Sequence, residues 1–343
     1  IILGTNSIKD TGYDVDNSLR FESGNGDYIR RANTGTDFSA SGSKLFTYSV
    51  WVKRAKLSSF MQIYAIGSGG GRDYSAFDGN DRARLYVNGI EETSFSTRTN
   101  ASSGQAIFPN TQCDSYVLGS DTDFNNDFSG YFSEVCYVSG SQETATPFGE
   151  FDEDNGIWKP KTITATLASD SFLYEFKDSS ALGADTSGLG NSAGVINGLT
   201  AIDQSTDTCT NNFATLNPLT QKSTSFTIIN GNLETNGVSS NGWRGMISTI
   251  AVSSGKWYFE TKVNQTESSD PMNIAFGIVD IDQFSQTADQ EFYHTSRGYG
   301  YHGNQGKKGN NNNLVNYGNS YTVGDIIGCA FDLDNNKIYF SKN

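Results

Sequence analysis

Hydrophobic and polar residues alternate with a period of two along several stretches of this chain. In Phe46-Thr-Tyr-Ser-Val-Trp-Val-Lys53, Phe46, Tyr48, Val50 and Val52 fall on one face and Trp51 falls on the other. That period belongs to a strand with one face buried. Tyr116-Val-Leu-Gly119 and residues 131–138 read as further strands, and the polar stretch 120–129 between them reads as a loop. Residues 83–87 lead into Asn88-Gly89 and then Ile90. Asn-Gly between two strands predicts a hairpin with a type I′ turn, because both central residues need positive φ. The pattern returns late in the chain. Within 256–263, Trp257, Phe259 and Val263 share a face while Glu260 and Lys262 share the other. Ile327, Cys329, Phe331 and Leu333 line one side of the next long strand, and Asp334-Asn335-Asn336 turns it into residues 337–340. Neither a tandem repeat nor a long amphipathic helix interrupts this rhythm. The predicted class is all-β: two antiparallel, jelly-roll-like β-sandwich domains joined by an extended connector.

The organisation follows from where the alternation stops. Residues 1–14 form a lead-in, and residues 15–140 form the first sandwich. Residues 141–222 are rich in Ser, Thr, Asp, Asn and Gly, as in Ala184-Asp-Thr-Ser-Gly-Leu-Gly-Asn191, and hold one strand, Phe172-Leu-Tyr-Glu-Phe-Lys177. Aromatic side chains need cover, so this connector is expected to pack on its neighbours through Phe148, Trp158, Tyr174, Phe176 and Phe213. Residues 223–343 form the second sandwich, in which Asn311 to Asn313, after Lys307 and Lys308, are expected as a mobile loop.

Composition narrows the function classes. A chain of 343 residues is long for one ordinary sandwich and suits two domains. A formal net charge of −14 repels phosphate backbones and argues against a nucleic-acid partner. The four cysteines, Cys113, Cys136, Cys209 and Cys329, show no metal-ligand spacing and are expected as buried free thiols. No apolar run reaches bilayer length, so no membrane insertion is expected. The opening Ile1-Ile2-Leu3-Gly4 lacks the basic region and long apolar stretch of a signal peptide.

Three resemblances add to this reading. The first module resembles the concanavalin A-like lectin/laminin-G family through Phe46–Lys53 as spelled out above, Leu85-Tyr-Val-Asn-Gly89, Val117-Leu-Gly-Ser120 and Phe128-Ser-Gly-Tyr-Phe-Ser-Glu-Val-Cys-Tyr137, in the family's order. The last module resembles a SPRY domain through Gly255-Lys-Trp-Tyr-Phe-Glu260, Ala275-Phe-Gly-Ile278, Gly298-Tyr-Gly-Tyr301, residues 323–334 and Ile338-Tyr-Phe-Ser-Lys-Asn343. That family continues past the final Lys-Asn with Gly and a further strand, so the resemblance implies truncation at the C-terminus. In the connector, residues 148–158, 175–183 and 210–218 resemble segments of predicted tail-fibre and other virion proteins of marine bacteriophages, in which a lectin-like module precedes a SPRY-like one.

Candidate chemistry is sparse. Laminarinase-like glycosidases share the lectin-type fold and carry spaced carboxylates on one strand, because alternate residues lie roughly 7 Å apart on one side. Glu150, Asp152 and Asp154 imitate that spacing, but they follow the first module's last strand and lack the third carboxylate, so a solvated acidic turn is expected. Asp121, Asp123, Asn125 and Asp127 offer oxygen ligands that would suit calcium. The segment departs from an EF-hand, with Asn126 in place of the turn glycine and Phe132 in place of the bidentate Glu, so a polar hairpin loop is the plainer reading. No other cofactor is expected. Asp332, Asp334, Asn335 and Asn336 read as a turn. His294 and His302, the two histidines, are expected at the surface and build no catalytic triad. A sugar face packs on an exposed aromatic ring beside polar groups, and Trp51, Trp158, Trp243, Tyr299 and Tyr301 are the candidate platforms, each weighed against simple packing.

The expectation is therefore a non-enzymatic virion-surface protein of a bacteriophage, assembled in the host cytoplasm: a tail fibre, head fibre or decoration protein. Its expected partners are other virion proteins and host cell-surface glycan. The alternatives are a purely structural spacer and a polysaccharide-degrading glycosidase. Fibres gain affinity by multivalency, and the resemblance implies a homo-oligomer, with a trimer as its leading form.

Overall fold

A computed structural model describes residues 12–32, 45–56, 60–67, 77–78, 84–94, 100–101, 115–220, 227–236, 245–264, 274–286 and 292–343. They fall into two compact units, one within residues 6–212 and one within 213–343. Nearly all regular structure is β, and every strand pair among the described residues is antiparallel except Phe77–Asp78 with Asn100–Ala101.

The first unit is organised by the strand Gly130–Ser139, buried along its whole length. Phe46–Arg54 runs along one of its edges. The other edge is shared: Ser18–Phe21 pairs with the first half, Leu19 opposite Phe132, and Phe172–Tyr174 pairs with the second half, Phe172 opposite Tyr137. Gln204–Ser205 extends the sheet beyond Ser18–Phe21. A second sheet runs in the order Val195–Asn197, Tyr28–Ala32, Ser115–Leu118, Tyr64–Gly67. Between the two sheets lies an aromatic core. Phe132 stacks on Phe128 at 4.2 Å and meets Phe21 edge-on at 4.9 Å, and Tyr116 of the second sheet meets Phe172 of the first at 4.9 Å.

The register of Gly130–Ser139 against Phe46–Arg54 shifts between Ser133 and Cys136. The shift is a β-bulge, with Glu134 at φ 49. Its effect is on parity. Phe132 before it and Val135 and Tyr137 after it all enter the core between the sheets. An unbroken period of two would have sent Glu134 and Cys136 there instead. Cys136 and Val138 lie on the opposite face, in a smaller cluster with Phe148, Ile163, Leu167 and Leu173.

The alternation read in Phe46–Arg54 is realised for Phe46, Tyr48 and Val50, which pack on the core, while Val52 remains exposed. Asn88 and Gly89 both have positive φ and join Leu85–Val87 to Ile90–Glu92, as the turn chemistry requires. The polar stretch 141–212 supplies Phe172–Tyr174, Val195–Asn197 and Gln204–Ser205 to the two sheets. Tyr174 and Phe176 are in the main core and Phe148 is in the smaller cluster, so the aromatics of that stretch are what attach it.

The second unit has a sheet of Lys256–Lys262, Ile326–Asp332 and Lys337–Lys342, and a meander of Ala275–Val279, Gly298–His302, Lys307–Asn310 and Asn313–Asn316. Its core gathers Val263, Tyr301, Tyr321, Ile327, Cys329 and Phe340, with Phe259, Phe276 and Ile278 packed on it. Gly300 faces Gly309 across the meander, and the Tyr293 ring lies over both; a Cβ on Gly309 would come within 2.3 Å of that ring. An aromatic laid over a bare backbone restores the contact that two glycines lack. Two expectations need correction here. Asn311 and Asn312, at φ 50 and 58, make a tight hairpin turn rather than a mobile loop, because asparagine tolerates the left-handed region. His302 is buried, not at the surface, since it ends a strand of the meander and meets the Tyr293 ring edge-on at 6.0 Å.

Phe132 touches both neighbouring core rings, so Phe132→Ala should destabilise the first unit by about 3–5 kcal/mol in denaturant unfolding. Ile202→Ala, at a side chain 82% exposed, should change stability by about 0.5 kcal/mol or less.

Candidate functional site

The bulge places Glu134 on the outer face of the five-stranded sheet, where it is nevertheless only 3% exposed. The Tyr13 hydroxyl donates a hydrogen bond to Glu134 Oε1, and Trp51 supplies a second bond from the adjoining strand. Burial pushes the Glu134 carboxyl up to about 7, opposed by the Tyr13 bond and reinforced by the charge of Glu175. Lys177 Nζ engages Glu175 at 2.9 Å. Residues 205–212 complete the surround: Lys53 Nζ binds Asp207 at 2.7 Å, and burial raises the Cys209 thiol, with Glu134 next in effect. Trp51 is therefore half-buried and engaged with a carboxyl. The cysteines Cys136, Cys209 and Cys329 are free thiols, and Cys113 lies outside the described residues.

Trp158 belongs to the hairpin Gly149–Phe151 with Trp158–Pro160. Its ring packs on two glycines from different hairpins. A Cβ on Gly89 would fall 2.2 Å from it and one on Gly149 would fall 2.6 Å away. Phe151 meets it edge-on at 5.0 Å. Gly89 thus serves two ends, a φ of 78 for the turn and a bare surface for the indole. Exposed apolar side chains surround this junction: Leu85, Val87 and Ile90 on one hairpin, and Phe151 and Ile157 on the other. The carboxylates beside it do not converge on a cleft. Glu150 and Asp152 both reach Lys159 at 3.5 Å, and Asp152 also accepts from the amides of Asp154 and Asn155.

In the loop 121–127, Asp121 Oδ1 accepts from the amides of Asp123 and Asn125 at 3.1 and 2.8 Å, and Oδ2 from the Asn126 side chain at 2.7 Å. Asp127 accepts from Ser120 Oγ at 2.5 Å. Of the carboxylates weighed as calcium ligands, Asp121 binds the loop's own backbone and Asp127 binds Ser120, as a polar hairpin loop requires; among the described residues no group of three acidic, histidine or cysteine side chains is set for a metal. Asp27 was not singled out from the sequence. Its Oδ2 accepts from the Glu22 amide at 2.7 Å, while Oδ1 is buried without a hydrogen-bond partner against Gly198. Burial raises this carboxyl to about 6, against the lowering effect of the Glu22 amide.

In the second unit, Tyr299 is 39% exposed, whereas Tyr301 is buried and donates its hydroxyl proton to the Asn319 carbonyl. An open groove of about 590 Å³ runs beside Tyr317, Asn319, Phe340 and Lys342. The Tyr317 hydroxyl donates to the Phe340 carbonyl at 3.0 Å and accepts from the Phe340 amide at 2.9 Å. One side chain thereby occupies both outward backbone groups of a residue in the strand Lys337–Lys342, a local form of edge protection. Lys342 reaches Asp325 at 2.9 Å, and that bond, with those from Asn343 and Thr322, lowers the Asp325 carboxyl to about 2. Trp243 lies outside the described residues. Within the first unit Trp51 and Trp158 lie on different elements, Phe46–Arg54 and the hairpin of Trp158–Pro160, and within the second Tyr299 and Tyr301 lie two residues apart on one strand with different exposure.

Comparison with known proteins bears on the second unit. Residues 256–343 match the SPRY domain and are one. The chain is 33% identical over 101 residues to the ATP-dependent RNA helicase DDX1 of Xenopus laevis, covering 29% of this chain and 12% of the helicase. It is 31% identical over 108 residues to the dual specificity protein kinase splA of Dictyostelium discoideum, covering 29% of this chain and 4% of the kinase. The SPRY domain of human HERC1 is a structural neighbour at a TM-score of 0.30 and 20% identity, over 37% of this chain and 75% of that one.

Two outcomes test the geometry. Stability should fall as pH rises from about 4 to about 6, because folded Asp27 holds its proton above the 3.8 of the free side chain and must lose it across that window. Asp27→Asn should make this slope shallower in urea titrations at stepped pH. Gly89→Ala combines a positive φ with a collision on Trp158 and should cost about 1–3 kcal/mol, with weakened amide protection across residues 85–92.

Proposed function

We propose that this chain is a non-enzymatic surface protein of a bacteriophage particle, a tail fibre, head fibre or decoration protein, that binds host-surface glycan or other virion proteins. The observation that carries the reading is how the aromatic residues are used. They fill layered cores in each unit, so hairpins and loops are left to meet partners. The junction around Trp158, with its exposed apolar rim and the Lys159 cluster beside it, is the contact surface this reading favours in the first unit. The carboxylates at 150 and 152 serve a turn and a lysine, which weighs against the glycosidase alternative. The resemblance of the connector segments to phage fibre proteins supports the setting, and the net charge of −14 supports a partner other than nucleic acid. Helicases and a kinase share only the SPRY stretch with this chain, so their catalytic activities form no part of the proposal.

The test is binding of the whole chain to a glycan array and to bacterial cells, with multi-angle light scattering on the same preparation. A homo-oligomer, a trimer above all, that retains cells or a glycan class is the expected result, and Ile90→Asp with Phe151→Asp should reduce retention at least tenfold. Absence of binding to every glycan and cell tried would favour the spacer reading. Release of reducing sugar from marine polysaccharides would overturn the non-enzymatic reading.

A further inference from the structure

Arg30 is a cation without a counter-ion. It is half-buried in the strand Tyr28–Ala32, and its Nε is buried with no hydrogen-bond partner. Among the described residues its guanidinium makes no ion pair or hydrogen bond. Acidic residues outnumber basic ones in this chain by 38 to 24, so carboxylates are not in short supply. Other cations of the same unit have found theirs: Arg20 bonds Asp203 at 2.8 Å and Lys53 bonds Asp207 at 2.7 Å.

What the Arg30 guanidinium does meet is aromatic. Ile29 enters the core between the sheets, so Tyr28 and Arg30, two residues apart, share the opposite face of the strand. Phe124, from the loop 121–127, stacks on Tyr28 at 4.4 Å, and the guanidinium lies 5.8 Å from the centre of the Phe124 ring, close enough to feel its quadrupole. Phe124 is 38% exposed and has a φ of 57, which is costly for a bulky residue. The loop that presents it is fixed: the Phe124 amide donates to the Asp121 carbonyl at 3.1 Å, and the Gln62 amide donates to the Asn126 carbonyl at 2.8 Å. The carboxylates Asp121 and Asp127 are taken up by donors of their own loop and by Ser120, and neither is paired with Arg30. An exposed ring held in a strained conformation beside an unpaired arginine suits a ligand that has both an apolar face and a negative charge.

We propose that Arg30, Phe124 and Tyr28 form a subsite for a carboxylate-bearing sugar, a hexuronate or sialate unit of an acidic glycan. The C–H face of the pyranose packs on Phe124, and its carboxylate takes hydrogen bonds from the planar guanidinium, a match that lysine does not offer. The net charge of −14 does not oppose this, because exposed charges more than about 10 Å away are largely screened at 0.1 M salt. The subsite rests on the glycan reading of the preceding subsection, gives it a ligand class, and uses other residues than the Trp158 junction.

Calorimetric titration of the whole chain with short oligomers of galacturonate and of mannuronate and with sialyllactose, each beside its methyl ester, tests this. The free acids should bind, and the esters, which keep the ring and lose the charge, should bind about tenfold more weakly or worse. Arg30→Gln should weaken binding of the free acid by about ten- to a hundredfold and change binding of the ester little. Phe124→Asn, a change to a residue type that accepts the same φ, should weaken both by about three- to tenfold. If Arg30→Gln does not fold, the comparison of acid with ester on the unaltered chain decides. Equal binding of acid and ester, an acid affinity unchanged in Arg30→Gln, or no binding of any free acid would each overturn the subsite. Retention of cells or of neutral glycans in the face of such a result would leave the glycan reading standing, so the two fail separately.

Discussion

The first unit depends on a strand, Gly130–Ser139, that is buried on both faces for all of its ten residues. Such a strand needs two covers. On one side it receives the second sheet through Tyr116, Leu118, Ile29 and Ile66. On the other, among the described residues, the cover comes from polar, turn-rich chain: Phe148, Ile163 and Leu167 over Cys136 and Val138, and Tyr13 with residues 205–212 over Glu134. The low-hydrophobicity stretch is thereby explained. It need not carry a core of its own, because a few aromatic and aliphatic side chains at intervals are enough to bind it to an existing sheet. Backbone groups it cannot pair in a ladder are taken by Asp and Asn side chains, as where Asp185 accepts from Leu173, Ser187 and Asn191.

Much of this was legible from residue spacing, and the limits of legibility are physical. Long alternating stretches were readable because burial of one face forces a period of two, and Asn88-Gly89 because only small or amide side chains accept both dihedrals of its turn. Parity also put Trp51 on the face opposite Tyr48, where it meets Glu134. The bulge was not readable. A residue inserted between Ser133 and Cys136 leaves no mark in a segment whose residues are apolar on both sides, Phe132 and Val135 alike. Glu134 and Asp27 were missed for the same reason: a carboxylate in a strand, or just before one, is ordinarily exposed, and what buries these two comes from residues far along the chain, Tyr13 and Gly198. Asn311 and Asn312 misled in the other direction, since a run of asparagine signals either looseness or a left-handed turn and only the flanking pairing separates them.

The second unit solves its packing by other means. Gly300 opposite Gly309 would leave a gap in the meander, and the Tyr293 ring fills it. The Gly-Tyr-Gly-Tyr sequence of 298–301 is thus one device, with bare backbone for the ring to lie on and Tyr301 directed to the core. Tyr317 does related work at a strand edge by taking both free groups of Phe340. In each case a phenol ring or hydroxyl replaces what a further strand would have provided. This accounts for a composition with 17 Tyr and 22 Phe, in which aromatic side chains act as both core and closure.

Stability alone does not account for Glu134. A bulge is formed at lower cost by glycine or asparagine, which accept positive φ readily, whereas other residues give up roughly 1–2 kcal/mol. A neutral apolar residue would also remove the penalty for burying a carboxyl, a substitution that often leaves a protein as stable or more so. Glu134 carries both costs at one position, and Tyr13 and Trp51 offset the second only in part, since the carboxyl remains raised to about 7.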